Sequence, residues 1–124
     1  MTDHQDVVRS TAETEATMRP QAVPVNMYAT SEAVVVVAPM PAVQPSDVRV
    51  EVRGGCLRFF AGVRSAGLRE YLLHEWEYGG YEREIELPSG YGSGVEASLA
   101  NGQLAIRVLR GDHAGDVTVK PAKV

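Results

Sequence analysis

Residues 95–108 read VEASLANGQLAIRV, and no other stretch constrains the fold so tightly. Val95, Ala97 and Leu99 alternate with polar or small residues up to Asn101 and Gly102, and Leu104, Ile106 and Val108 resume the alternation beyond them. A period of two puts each apolar set on one face of an extended strand. Asn followed by Gly tolerates positive φ at both central positions of a type I′ turn, whose twist suits an antiparallel pair. The stretch therefore predicts a hairpin with one apolar face, and such a face needs a second layer to cover it.

Working outward, the same pattern recurs. Tyr81, Arg83, Ile85 and Leu87 alternate with Glu82, Glu84 and Glu86, a strand with one wet face that stops at Pro88. Val48, Val50 and Val52 are followed by Gly54 and Gly55 and then by Leu57, Phe59 and Ala61, which reads as a second hairpin. Residues 33–38 are apolar on both faces, as a buried strand is, and end at Pro39 and Pro41; a turn at 29–32 joins them to a strand at 25–28. Seven strands and no convincing 3.6 period after residue 24 predict an all-β fold, an immunoglobulin-like two-sheet antiparallel sandwich. Residues 1–23 are polar and mixed in charge and read as a flexible arm, residues 24–110 as the sandwich, and residues 111–124 as a tail carrying Val117 and Val119. Residues 62–78 make a connection longer than a hairpin needs, and long loops in compact domains are usually functional. Its portion from Arg69 through Tyr71, Leu72 and Leu73 can itself extend as a strand.

Composition narrows the function. At 124 residues, with 44% hydrophobic and 23% charged residues, the chain suits one globular domain. Its longest apolar run, 33–38, is far short of the ~20 residues that span a bilayer, and residues 1–20 hold no signal-peptide core. The lone Cys56 has no internal partner, which fits a reducing compartment and predicts a cytoplasmic protein. A net charge of -4 with scattered Arg and Lys argues against nucleic acid or an anionic membrane as partner. The candidate chemistry is thin. His74, Glu75 and Glu77 suggest a metal or acid-base cluster, but on a strand His74 and Glu75 face opposite ways and cannot share a ligand geometry, so a solvated strand is the better reading. Cys56 has no base in its local sequence and reads as a small hydrophobe. Residues 90–94 are glycine-rich but precede a strand rather than a helix, so no helix N-terminus is at hand to hold phosphate. The sequence predicts no active site, no metal and no cofactor.

Two groups of residues carry a resemblance. Tyr78, Gly79, Gly80, Tyr81, Glu82 and Arg83, leading to Leu87 and Pro88, resemble the small heat-shock protein pattern Tyr-Gly-x-aromatic-x-Arg before Leu-Pro. Ala97 through Asn101, Gly102, Gln103 and Leu104 resembles the family's Ala-x-x-x-Asn-Gly-Val-Leu, while Val23, Pro24 and Val25 look like the start of its domain. The resemblance implies an α-crystallin domain and an ATP-independent holdase chaperone, which binds unfolded or partly folded client proteins and assembles as a homo-oligomer built from dimers. It implies a dimer interface at Arg69, Tyr71, Leu72, Leu73 and Arg83. Val117 and Val119 resemble the family's Ile-x-Ile tail motif, which docks as an added edge strand in the groove of a neighbouring sandwich. That groove would be lined here by Val48, Val50, Val52, Ala97 and Leu99. Three places depart from the family pattern: Pro41 is followed by Ala42 rather than Gly, residues 108–110 lack a proline, and the arm has no aromatic residue. A co-chaperone-type adaptor on the same sandwich is the main rival reading, and a sandwich-fold enzyme the second.

Overall fold

The computed structural model describes residues 21–62, 70–75, 80–113 and 115–123. The reading of residues 1–20 as an arm, and of Arg69, Glu77, Tyr78 and Gly79 as motif or interface positions, lies outside them.

Among the described residues the chain forms two five-stranded sheets packed face to face. In chain order the strands are β1 (Gln21–Ala22), β2 (Asn26–Ala29), β3 (Ala33–Pro39), β4 (Val48–Arg53), β5 (Cys56–Ala61), β6 (Tyr81–Glu86), β7 (Tyr91–Ala100), β8 (Gln103–Arg110), β9 (Val117–Val119) and β10 (Ala122–Lys123). Sheet A runs β1-β6-β5-β4-β9 and sheet B runs β10-β7-β8-β3-β2. The fold is thus the expected sandwich. Two short parallel pairs, β1 on β6 and β10 on β7, are added at its edges.

Alternation decides which residues are buried. Val48, Val50 and Val52 face Leu57, Phe59 and Ala61 across the β4–β5 ladder, and all six are buried. From the other sheet Val34, Val36, Leu104, Ile106 and Val108 close the core. Asn101 (φ 54) and Gly102 (φ 74) make the predicted primed turn between β7 and β8, and Gly54 (φ 52) and Gly55 (φ 80) do the same between β4 and β5.

Local pattern understated some elements. β7 starts at Tyr91, not Val95, so most of the glycine-rich segment is strand; a register shift between Tyr91 and Val95 absorbs it. β3 keeps Pro39, whose missing N–H falls at the strand end. Residues 70–75 carry no strand in this chain, where an extended segment was expected. Ala42, standing where the resembling pattern has glycine, keeps the left-handed turn at φ 64. No helix among the described residues is long and apolar enough to cross a membrane.

Candidate functional site

β5 covers one side of β4, and β9 covers the other. The register sets Val119 opposite Val50, Thr118 opposite Glu51 and Val117 opposite Val52. Spacing by two turns both valines toward the sandwich, where they are half-buried, and leaves Thr118 exposed. Val119 packs against the hydrophobic core, and β9 also touches β7 of the opposite sheet. Pro121 is buried at the crossing, and β10 then pairs with β7, Ala122 beside Ser98 and Lys123 beside Leu99. Residues 117–123 therefore strap the open side of the sandwich from one sheet to the other.

All seven residues assigned to groove and tail come together here. Val48, Val50 and Val52 form the floor and are inaccessible, Leu99 is nearly so, and Ala97 is half-buried at the wall. The site holds no titratable side chain on its apolar floor, so it can bind an extended segment but supplies no acid, base or nucleophile. The tail reaching this groove belongs to the same chain, whereas the resemblance implied a neighbour's.

Of the residues assigned to the dimer, Arg83 lies on β6, on the side of sheet A away from β9, while Tyr71, Leu72 and Leu73 lie in the connection before β6. Leu72 is fully exposed and Leu73 largely so, and Tyr71 stacks on His74 at 4.3 Å between centroids. Arg83 is half-buried and donates to the Val23 carbonyl at 3.1 Å, so its charge is met by a backbone oxygen of the segment entering from β1. Two residues on this flank escaped the sequence reading. Met27 and Tyr28, 46% and 56% exposed, sit on β2, the outermost strand of sheet B. Their apolar character on an edge strand was a usable signal, hidden because the segment was read only as half of a hairpin.

Charge chemistry elsewhere is structural. On the outer face of sheet A, Arg58 bonds Glu82 at 3.0 Å, reaches Glu51 at 3.5 Å and lies over the Phe60 ring. The bond to Glu82 holds its guanidinium even more firmly protonated. Partial burial, with Glu84 beside it, pushes the Cys56 thiol up, which makes it a poorer nucleophile.

The family model describing the Hsp20/alpha crystallin family matches residues 26–123. The chain belongs to this family. It is therefore an α-crystallin domain of the small heat-shock chaperones, a family of binding proteins rather than enzymes. Among solved structures it is similar to hspA from Xanthomonas axonopodis, at 26% identity and a TM-score of 0.66, covering 73% of this chain and 94% of that one. The small heat-shock protein from Xylella fastidiosa, 21% identical, shares the fold at a TM-score of 0.64 over 82% of this chain and 93% of its own. Heat shock protein 16.0 from Schizosaccharomyces pombe does so at 20% and 0.66, over 82% and 77%. No curated protein matches by sequence. Within this α-crystallin domain the strap formed by β9 and β10 occupies the β4/β7 groove of its own sandwich.

Proposed function

We propose that the chain is an ATP-independent holdase that captures unfolded or partly folded client proteins and keeps them from aggregating. One observation carries the reading: the groove between β4 and β7 accepts an extended Val-x-Val segment by main-chain pairing and apolar burial. Main-chain pairing is indifferent to sequence, and shallow apolar sites ask only for hydrophobic side chains at alternate positions. Unfolding proteins expose such segments. Binding them costs no nucleotide, because a holdase draws only on the free energy of burying surface that the client has already exposed.

The working unit in this reading is a homo-oligomer built from dimers. Exposed Leu72 and Leu73, and Met27 and Tyr28 on β2, outermost among the described strands of sheet B, support a contact between copies, because unpaired strand edges and apolar side chains attract a partner. Arg83 and Tyr71 belong to the same interface. The reading includes no cofactor and no catalytic residue, and it places the chain in the cytoplasm, where a lone thiol stays reduced.

The test is aggregation of a heat-unfolded client followed by light scattering without nucleotide. Near-stoichiometric chain should suppress the scattering strongly. A scattering trace unchanged by the chain, or suppression only with ATP, would overturn the reading.

A further inference from the structure

A sheet that faces water on one side alternates apolar with polar residues along its strands, and the outer face of sheet B departs from that rule. Val34, Val36 and Ala38 of β3 and Leu104, Ile106 and Val108 of β8 point into the core, so the residues between them point outward. These are Val35 and Val37 on β3 and Ala105, Arg107 and Leu109 on β8, all half-buried. Tyr28, 56% exposed and opposite Val35, extends the patch onto β2. On the other side Leu109 lies over Gly94 of β7, where a Cβ would stand 3.1 Å from its Cδ1. One charge crosses the patch: Arg107 bonds Glu96 at 2.9 Å and reaches Glu32 at 3.6 Å. Among the described residues no third layer covers this face. Residues 33–38 read as a strand buried on both sides, and the fold buries only one of them.

The register shows what fits there. Across the β3–β8 ladder Val35 stands beside Arg107 and Val37 beside Ala105. A second copy laid on this face about a two-fold axis that runs between β3 and β8, parallel to them, sets β3 of each copy on β8 of the other, row on row. The larger Val37 then lies on the smaller Ala105, and the stem of Arg107 lies on Val35. On the flanking strands Glu96 of one copy comes over the Tyr28 hydroxyl of the other, because Glu96 shares the row of Arg107 and Tyr28 that of Val35. Glu32, which reaches Arg107 within its own chain, comes over the other copy's Arg107 as well. Opposite charges and a donor with its acceptor thus meet, twice each by symmetry. An axis across the strands would stack β8 on β8 and bring the two arginines together, so the charge pattern selects the first arrangement. Sheets packed in this way lie about 10 Å apart with interdigitating side chains. The contact has an apolar centre and a polar rim, the anatomy of a protein interface.

We propose that the outer face of sheet B is a self-association surface, on which a second copy packs face to face with β3 on β8. It is separate from a contact through Leu72 and Leu73, so a chain that uses both grows beyond a dimer. The surface does not depend on whether the chain protects clients.

Cross-linking across the axis tests it. In the full chain carrying Cys56→Ser, the Val35→Cys position lies near its own counterpart in the second copy, and a short bismaleimide should join the two into a covalent dimer. Glu84→Cys, exposed on the outer face of sheet A, is the control and should give little. Adding Leu72→Asp with Leu73→Asp to the Val35→Cys chain should leave the cross-link in place, whereas adding Val37→Glu should abolish it while the circular dichroism stays native. In sedimentation Val37→Glu alone should weaken self-association by roughly tenfold or more, because a carboxylate then meets an apolar surface. Val37→Thr, which keeps a β-branched strand former, should show a smaller loss and guards against a glutamate variant that does not fold. A Val35→Cys chain that yields no covalent dimer would overturn the surface. So would a yield no higher than that of Glu84→Cys, a cross-link lost with the two leucine substitutions, or sedimentation unchanged in both Val37 variants.

Discussion

The two long flanks of the sandwich handle the same physical problem differently. A sheet edge presents unpaired N–H and C=O groups that invite pairing with another chain. On the β4/β7 flank the chain's own tail answers both edges, with β9 on β4 and β10 on β7. On the opposite flank β1 pairs with two residues of β6, while β2 is outermost among the described strands of sheet B, with Met27 and Tyr28 exposed; Leu72 and Leu73, in the connection before β6, are exposed as well. Among the described residues the first flank is covered from within, and on the second β2 has no further strand beside it.

The largest expected effect breaks the open flank. Replacing Leu72 and Leu73 with Asp should weaken self-association more than about 100-fold in analytical ultracentrifugation, since two buried leucines contribute several kcal/mol to a contact. The far-UV circular dichroism should be native, because neither side chain packs in the described fold. A dimer of parental affinity would show that this flank is not the interface.

An intermediate effect comes from the closed flank. Val117→Ser with Val119→Ser removes two half-buried side chains and should lower unfolding stability by about 2 kcal/mol in urea, less the ordering entropy the freed tail recovers. No measurable loss would mean that the strap contributes nothing to the fold.

How much of this was legible in the sequence differs between the flanks for a physical reason. Alternation in Val48, Val50 and Val52, in Leu57, Phe59 and Ala61, and in Leu104, Ile106 and Val108 fixes which face is buried, and Asn101-Gly102 fixes the hairpin; both are local. The groove residues follow from that alternation, and Val117 and Val119 from spacing by two. The two-residue strands β1 and β10 have no pattern of their own, because the edge they meet creates them. Spacing by two is also identical for a tail that docks at home or on a neighbour, so the pattern alone does not choose between them. The extent of β7 was hidden by two glycines, Gly92 and Gly94, which lower strand propensity yet are accommodated at a register shift.

The smallest effect sits at neither flank but in the connection between β3 and β4. Ala42 holds a left-handed φ of 64, which costs a residue with a Cβ about 1 to 2 kcal/mol. Ala42→Gly should stabilise the fold by roughly 0.5 to 1 kcal/mol after the extra chain entropy of glycine is charged against it. A destabilised variant would show that the turn relaxes in solution.

The measurement that tests the account most directly compares the parent with the Val117→Ser, Val119→Ser chain in the client-scattering assay without nucleotide. If the β4/β7 groove captures clients and the tail governs access to it, the variant, still folded, suppresses scattering at least as well as the parent at equal concentration. A folded variant that loses protection would contradict the account, because the tail valines would then be the client-binding element and the groove merely their resting place.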